Sequence, residues 1–343
     1  THDLLSSYAA FDGPDSLLAK PRLATKEELL YFHTPEYVAA VKQYESGQIS
    51  ENPEIYNLGP GDNPVYEGMY EAAAMSTGAS LTAVEMLMSG EVEFAMSVSG
   101  GLHHAMPGYA YGFCVFNDPV IMINSLLQQG LRVAYVDIDA HHGDGVQNAF
   151  YDTSRVLTIS THESGKFLFP GTGFVDETGY GDGKGFAANI PLLPYTGDAT
   201  YLWVFEELVV PLIQSFRPDI LVTQLGIDTH YKDPITHLRL TSRAFGGAVS
   251  KFAGMGIPWV ALGGGGYDLE AVARCWTIAY GIMCGQKWSD NIPTDYAVRY
   301  NSWNLHDENL RTLEGNMESQ IDQYARKTVE DVKRLIFPRH RIT

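Results

Sequence analysis

The chain has 343 residues, 45% of them apolar and 19% charged, and this ordinary globular balance excludes bulk disorder and a fibrous architecture. Its 41 acidic and 23 basic side chains give a formal charge of −18, which argues against nucleic-acid binding and favours cationic partners. Three scattered cysteines and the lack of a recognisable signal peptide or membrane span predict a soluble, cytoplasmic protein that does not bind membranes.

Short apolar runs alternate with longer helical patterns along the chain. In chain order, the predicted elements are a helix at 67–88, a strand at 93–98, a helix at 118–129, strands at 132–137 and 156–160, a helix at 199–216, a strand at 220–224, a helix at 242–255, a strand at 258–262, and helices at 268–284 and 317–336. Asp118 and Pro119 predict the start of the second helix, with Asp118 as its N-cap. The alternation predicts an α/β fold: one domain at 1–343, a doubly wound, mainly parallel sheet with helices on both faces, and a peripheral C-terminal helix at 316–343.

Polar residues follow four of the predicted strands. In sheets of this class, function lies in the loops beyond the carboxyl ends of the strands. In chain order these loops contain His103 and His104, then Asp137, Asp139, His141 and Asp144, then Asp228, and finally four glycines and Tyr267. Gathering so many polar groups at one edge is costly unless they bind something, so we expect a functional site there.

Asp139 and His141 are two residues apart, so at an extended strand end their side chains point the same way and can hold one ion. Asp228, from a neighbouring strand end, is the expected third ligand. Three protein ligands leave one position open for water, which is the pattern of catalytic zinc. Because one imidazole and two carboxylates cancel the charge of a dication, such a site needs a separate general base and an electrophile. For any one of these residues alone, a loop cap or a half-buried core histidine is the better interpretation, but their joint placement favours the metal.

The neighbouring His103 and His104 can each donate an N–H to a carboxylate, which fixes the tautomer and raises the basicity. For a histidine pair without such partners, a surface loop is the ordinary interpretation. The four glycines at 263–266 suggest a dinucleotide-binding loop, but Asp268 occupies the position of that motif's third glycine. We therefore interpret them as a flexible turn that carries Tyr267 into the cleft, where its hydroxyl donates to an oxyanion.

These motifs together resemble the zinc-dependent histone deacetylase family, which has the arginase/deacetylase fold. In family order they are GGLHHA at 100–105, GFCVFND at 112–118, YVDIDAHHGDG at 135–145, FPGTG at 169–173, QLGID at 224–228 and LGGGGY at 262–267. The resemblance covers residues 1 to about 300. The segment DPITHL at 233–238 is most similar to the prokaryotic acetoin-utilisation branch, which is itself similar to class I deacetylases.

The resemblance implies a role for each residue of the site. One zinc ion, or ferrous iron, would be bound by Asp139, His141 and Asp228. His104, paired with Asp144, would act as general base and then protonate the leaving amine. His103, paired with Asp137, would act electrostatically, and Tyr267 would polarise the acetyl carbonyl.

The resemblance also implies a narrow acyl-lysine tunnel above the metal. Phe113 and Phe169 would line it together with Gly112, Ile235 would lie at its mouth, and Asp62 would hold backbone amides of the substrate at the rim. An ordinary turn is the alternative interpretation of Asp62. Structural potassium or sodium ions would bind at two sites, the first at Asp137, Asp139, His141, Ser160 and Thr161, the second at Phe150, Thr153, Val156 and Phe186.

The expected substrate is N-acetyl-lysine in proteins or peptides. In the acetoin branch, the protein that carries the acetyl-lysine is an acyl-CoA synthetase. Acetylated polyamines and other small acetylated amines are the alternatives, and the acyl-chain preference, native metal and oligomeric state stay open. Because the family's first strand and its His-Pro segment would precede Thr1, we expect that strand upstream of residue 1.

Two other functions fit parts of the pattern. A two-manganese ureohydrolase of the same fold needs a second aspartate two residues after Asp228, where this chain has His230, and another beside His141, where His142 and Gly143 follow. A non-catalytic acyl-lysine-binding module is disfavoured because a base, three metal ligands and a phenolic donor are all present. The sequence therefore predicts a metal-dependent amide hydrolase.

Overall fold

Six parallel strands form the centre of the computed structural model, which describes residues 1–13, 16–47, 52–308, 310, 313 and 315–342. The strands are β1 (Phe94–Ser97), β2 (Val133–Asp137), β3 (Val156–Glu163), β4 (Ala187–Leu192), β5 (Ile220–Gln224) and β6 (Trp259–Leu262). Their order in the sheet is β1-β6-β5-β2-β3-β4, and every neighbouring pair is parallel. The carboxyl ends of all six strands therefore lie along one edge of the sheet.

The connections between the strands are mostly helical, as parallel pairing requires. The α-helices in the described part of the chain are α1 (His2–Ser7), α2 (Lys26–Leu29), α3 (Pro35–Gln43), α4 (Met69–Met88), α5 (Asp118–Gln128), α6 (Asp144–Ala149), α7 (Asp198–Val204), α8 (Val210–Phe216), α9 (Ser242–Ala253), α10 (Leu269–Met283), α11 (Thr294–Tyr300) and α12 (Met317–His340). A π-helical turn at Phe205–Val209 joins α7 to α8. Among the described residues, no helix is both long enough and apolar enough to cross a membrane.

Each face of the sheet buries its own apolar cluster, because alternate residues of a strand point to opposite faces. On one face, Ala134 and Val136 of β2 pack in a cluster with residues of α7, α8, α9, α10 and α12. On the other, Val133 and Tyr135 pack in a cluster with residues of α4 and α5. Helices therefore cover both faces, as the sequence predicts.

All five predicted strands are present, and their ends agree to within one residue except that β3 continues to Glu163. The predicted elements omit β4, because Pro191 lies within it and only Ile190 and Leu192 among its six residues are large and apolar. Since β4 is an edge strand with one strand neighbour, β3, it tolerates a proline that a central strand would not.

Two predicted details of the helices are wrong. Asn117, and not Asp118, caps α5: its side chain accepts a hydrogen bond from the N–H of Val120 at 3.1 Å. The helix predicted at 199–216 is interrupted by the π-helical turn. Pro211 explains the interruption, because it has no N–H for the carbonyl of Glu207 and its ring crowds that carbonyl.

Candidate active site

The three candidate metal ligands meet beyond the carboxyl ends of the adjacent strands β2 and β5. Nδ1 of His141 lies 2.8 Å from Oδ2 of Asp228 and 3.1 Å from Oδ1 of Asp139. All three residues are buried, and one ligand atom from each lies within 4.8 Å of the others. Two carboxylates and one imidazole at these separations fit a single divalent cation.

The charges of this cluster are unbalanced within the protein. Burial opposes the charge on His141, but Asp228 and Asp139 outweigh it and raise the pKa of the imidazole to about 11. Burial and the charge of Asp139 raise the pKa of Asp228 to about 7. In the part of the chain that the structure describes, no ion pair joins either aspartate to a lysine or an arginine. The carboxylates therefore attract a cation from outside the protein.

Hydrogen bonds from three directions hold the two carboxylates in place. Oδ2 of Asp139 accepts from Nε2 of Gln224 at 2.7 Å and from the N–H of Gly265 at 2.8 Å. Oδ1 of Asp228 accepts from the N–H of Ala140 at 2.7 Å. Such outer contacts orient metal ligands and raise their affinity. Gln224 belongs to the motif QLGID at 224–228, but its contact with Asp139 was not predicted from the sequence. A polar residue at the end of a buried apolar strand was the signal that could have indicated it.

The four glycines at 263–266 pack closely against these ligands. A Cβ at Gly265 would lie 2.3 Å from Oδ2 of Asp228, and one at Gly264 would lie 2.2 Å from Nε2 of Gln224. No larger residue fits at these two positions without displacing a ligand or its partner. The glycines therefore allow a close approach to the ligands, and the loop then carries Tyr267 to the site; that the turn is flexible stays a prediction.

Two histidine–aspartate pairs lie beside the metal ligands, in the pairing that the resemblance implies. Nδ1 of His103 lies 2.7 Å from Oδ2 of Asp137, and Nδ1 of His104 lies 2.7 Å from Oδ1 of Asp144. A carboxylate only accepts hydrogen bonds, so each Nδ1 carries the proton. The hydroxyl of Tyr135 also donates to Oδ2 of Asp137, at 2.7 Å.

The two imidazoles differ in charge. Burial, together with the charges of His103 and His141, holds the pKa of His104 well below its ordinary value. Burial also opposes a charge on His103, but Asp137 and Asp139 raise its pKa to about 9. The Nε2 atoms of His103 and His104 lie 3.0 Å apart, so a charged His103 donates to the unprotonated Nε2 of His104. Nε2 of His104 is thus unprotonated, as a general base must be, and in this structure its lone pair accepts from His103.

Asn117 and Asp118 hold the loop that carries these histidines, although the sequence analysis assigns them no such role. Nδ2 of Asn117 donates to the carbonyls of His103 at 3.1 Å and Ala105 at 2.9 Å. Oδ1 of Asp118 accepts from the N–H of Leu102 at 2.9 Å. Both side chains are fully buried. Two adjacent polar residues at the start of an apolar helix were the sequence signal that could have indicated their contact with the histidine loop.

Phe113 lies at the tip of a two-residue turn. The backbones of Tyr111 and Cys114 exchange hydrogen bonds of 3.0 and 2.9 Å, and φ is +48° at Gly112 and +67° at Phe113. This is a type I′ turn, which strains a residue such as phenylalanine. The turn leaves Phe113 54% exposed, with its ring 6.0 Å from that of Tyr267.

Phe169 lies on the side of the site next to His104. It is 37% exposed, and its ring centroid lies 5.1 Å from that of His104 and 4.8 Å from that of Tyr111. Gly112 also contacts this wall, because a Cβ there would lie 2.5 Å from Cδ2 of His104. Tyr111 is therefore part of the wall, although the sequence analysis does not single it out. Its signal was an aromatic residue directly before the Gly112–Phe113 turn.

The two expected rim residues are both exposed. Ile235 is 41% exposed, and its N–H donates to Oδ1 of Asp233 at 3.0 Å. Asp62 lies in an exposed turn, and its charge is one of the causes, after burial and Asp144, that raise the pKa of Tyr111.

The residues expected to bind monovalent cations lie at two places around β3. Oγ of Ser160 is hydrogen-bonded to Nδ1 of His162 at 2.8 Å, and the hydroxyl of Thr161 donates to the carbonyl of Asp137 at 3.4 Å. At the second place, the N–H of Thr153 donates to the carbonyl of Phe150 at 3.3 Å, Val156 begins β3, and the carbonyl of Phe186 accepts from the N–H of Thr158 at 2.9 Å. These contacts do not test ion binding, so both sites stay predictions.

Residues 2–283 match the family described as Histone deacetylase domain. The acetoin utilization protein AcuC of Bacillus subtilis (strain 168) is 41% identical over 309 residues, which are 88% of this chain and 79% of that protein. Histone deacetylase 8 of Xenopus tropicalis is 37% identical over 305 residues, 87% of this chain and 82% of that protein.

Solved structures show the same likeness. A crystal structure of an HDAC homolog complexed with SAHA has a TM-score of 0.86 at 33% identity, covering 96% of this chain and 92% of that one. The crystal structure of an HDAC homolog from Aquifex aeolicus has a TM-score of 0.85 at 33% identity, with the same coverage. Together with the parallel sheet, these likenesses confirm the predicted fold class.

Proposed function

The chain belongs to the histone deacetylase family and is a hydrolase that acts on amides, and from this premise we propose that it removes the acetyl group from N-acetyl-lysine in proteins or peptides. The observation that carries this proposal is the cluster of Asp139, His141 and Asp228 beside two histidine–aspartate pairs. We further propose that the resident metal is one zinc ion, with ferrous iron as the alternative. Structural potassium or sodium ions and a cytoplasmic location, both expected from the sequence, remain part of the proposal.

A zinc ion bound by the three ligands would supply Lewis acidity to the amide carbonyl and to the attacking water. The two carboxylates neutralise the charge of a dication, so a separate base has to remove the proton from the water. Nε2 of His104 is unprotonated and takes this role, while Asp144 holds the proton on Nδ1. His104 then gives the same proton to the nitrogen of the leaving lysine amine as the C–N bond breaks, releasing acetate.

Positive charge and a hydroxyl group stabilise the negative charge that develops on the amide oxygen. His103, which Asp137 keeps charged, provides the positive charge. Burial and the charge of Asp139 raise the pKa of Tyr267 above its ordinary value, so its hydroxyl stays protonated and can donate. Donors placed where charge develops are worth more in a site that excludes water.

The aromatic walls suit the aliphatic chain of acetyl-lysine. Phe113 and Phe169 present apolar ring faces on either side, and Ile235 adds an apolar side chain at the rim. Asp62 offers an exposed carboxylate that can accept the backbone N–H groups of a peptide. The ammonium groups of a polyamine can donate to the same carboxylate, so the assay described below distinguishes the two substrates. An acyl-CoA synthetase, expected for the acetoin branch, is one candidate for the protein substrate.

Replacing Tyr267 by Phe tests the mechanism, because it removes only the hydroxyl. On zinc-reconstituted protein with a fluorogenic acetyl-lysine peptide, we expect kcat to fall about a hundredfold or more. Zinc content should be unchanged, and Tyr180→Phe, at an exposed tyrosine away from the cluster, should have no effect. Near-normal turnover of Tyr267→Phe would remove its role as oxyanion donor.

Two further arms of the assay separate the competing functions. A chelator should abolish the wild-type activity, and activity that persists would contradict the metal. Faster turnover of acetylated polyamines than of the peptide would make a small amine the substrate. If the zinc-loaded protein turns over neither substrate, the non-catalytic acyl-lysine-binding module becomes the favoured function. A two-metal ureohydrolase finds no support in the contacts of His230, whose Nε2 lies 2.8 Å from Asp307 and not at the cluster.

A further inference from the structure

Asp233 joins two loops that carry residues of the site. Its Oδ2 accepts a hydrogen bond from the N–H of Tyr267 at 2.9 Å, and its Oδ1 accepts from the N–H of Ile235 at 3.0 Å. The residue is 9% exposed. Because each oxygen accepts from a backbone N–H of a different loop position, the carboxylate has one orientation and links the loop after β5 to the glycine loop after β6.

The side chain of Tyr267 has few contacts of its own. It is 40% exposed, and within the described part of the chain its hydroxyl makes no hydrogen bond. Its ring has a single aromatic neighbour there, Phe113 at 6.0 Å. The position of the hydroxyl is therefore set by the backbone of the loop. That backbone is held at Gly265 by Asp139 at 2.8 Å and at Tyr267 itself by Asp233.

We propose that Asp233 is a positioning residue for the reaction: its carboxylate holds the backbone of Tyr267 so that the phenol meets the amide oxygen of the substrate. This inference rests on the proposed role of Tyr267 as oxyanion donor. A displacement of about 1 Å in such a group lowers the rate by up to a hundredfold, so one backbone hydrogen bond has a measurable effect.

The chemistry of the contact requires a carboxylate. Both of its oxygens accept, whereas the amide of asparagine has one accepting oxygen and one NH₂ group that only donates. Asp233→Asn is nearly isosteric and keeps the contact with one loop only. Asparagine readily keeps the local contact with the N–H two residues on, that of Ile235, so its NH₂ group then faces the N–H of Tyr267.

A second link, from the loop after β5 to the first turn of α10, offers a control. Nζ of Lys232 lies 3.1 Å from Oε2 of Glu270, and both side chains are more than a third exposed. Exposed ion pairs contribute little to stability. Lys232→Gln therefore removes this outer link and leaves the contact of Asp233 with Tyr267, so we expect its kcat to be unchanged.

The decisive experiment is a double-mutant cycle on zinc-loaded protein. We expect Asp233→Asn to lower kcat about tenfold, with KM and zinc content unchanged, because a hydrogen bond to a charged group is lost. In the Tyr267→Phe background, Asp233→Asn should lower kcat by no more than about twofold. A further tenfold loss in that background, or wild-type kcat for Asp233→Asn, overturns the inference and leaves the proposed function intact.

Hydrogen exchange gives a readout that does not depend on turnover. In wild-type protein, mass spectrometry of a peptide covering residues 263–268 should show a slowly exchanging amide that becomes fast in Asp233→Asn and stays slow in Lys232→Gln. Equal exchange in all three proteins overturns the inference even if the activity changes. If Tyr267→Phe turns over normally, the proposed role of that hydroxyl fails, and the inference fails with it.

Discussion

Two buried clusters of histidine and aspartate differ in the source of their positive charge. In one, Asp307 accepts hydrogen bonds of 2.8 Å from Arg274, from His230 and from the N–H of Ser242. Burial by itself would raise the pKa of Asp307, but these hydrogen bonds and the charge of Arg274 lower it well below its ordinary value. Arginine is always charged in proteins, so this cluster contains its own counter-ion.

The other cluster has only an imidazole to balance its two carboxylates. Asp139 and Asp228 share the single imidazole of His141, and neither pairs with an arginine or lysine among the described residues. Buried charges that lack a partner are costly, so a cluster with its own cation is complete as protein structure, whereas one with excess carboxylates binds a cation from solution. The balance of charge, more than the presence of histidine and aspartate, distinguishes a functional cluster from a structural one.

The largest effect should come from removing one charge of the unbalanced cluster. We expect Asp228→Asn to lose bound zinc and to lower kcat/KM about a thousandfold or more, since the proposed reaction depends on the metal. Metal analysis and the acetyl-lysine peptide assay measure the two effects. The metal-free variant should unfold at the same denaturant concentration as the metal-free wild type or at a higher one, because a repulsion between carboxylates is gone. Full zinc occupancy with full activity would refute the assignment of Asp228 as a ligand.

The balanced cluster should respond in the opposite way. Asp307→Asn removes the buried counter-ion of Arg274 and leaves only the more exposed Glu270, whose Oε1 lies 3.6 Å from Nε of Arg274, so we expect the free energy of unfolding to fall by about 3 kcal/mol, measured by urea denaturation. Zinc content and kcat should stay near the wild-type values. Asp331→Asn is the matched control, since Asp331 also pairs with two cations, Lys327 and Arg334, but at the surface, where little stability depends on it. Loss of zinc with unchanged stability in Asp307→Asn would reverse our comparison.

A smaller effect should follow from crowding the metal ligands without removing any of them. In Gly265→Ala the new methyl group would lie 2.3 Å from Oδ2 of Asp228, so that ligand has to move. We expect the affinity for zinc, measured by competition with a chelating dye, to fall about tenfold. Gly254→Ala is the control, because a Cβ there meets its nearest neighbour at an ordinary 3.4 Å. Equal affinities in the two variants would show that the glycine loop does not constrain the ligands.

The smallest effect concerns pH. The folded-state pKa of Asp307 lies below its unfolded value of about 3.9, so its stabilising contribution is complete above that value and is lost as the pH falls through the folded pKa. Between about pH 5 and pH 2, the free energy of unfolding should therefore fall more steeply for the wild type than for Asp307→Asn. Parallel profiles would mean that Arg274 does not stabilise the ionised form of Asp307.

Local patterns were sufficient for most of the fold and for the residue types of the site. The runs of apolar residues predict β1, β2, β5 and β6 to within one residue, because a strand buried on both faces has a clear signature in sequence. The edge strand β4 has no such signature, since it contains Pro191 and small residues. The capping of α5 by Asn117 was missed because Asn and Asp are equally good caps, and contacts of Asp118 with a distant loop decided between them.

The sequence by itself determined the chemistry of this protein: which acids, imidazoles and phenol are available, and that Asp139 and His141 share one side of a strand end. Only the tertiary structure decided that Asp228, 87 positions from His141, approaches it to 2.8 Å, and that Asp233 holds the backbone of Tyr267. It also decided that Asp307 pairs with an arginine, whereas among the described residues no arginine pairs with the candidate metal ligands. The physical reason is that spacing along a strand follows from local geometry, whereas contacts between loops depend on the order of strands in the sheet and on how the whole chain packs.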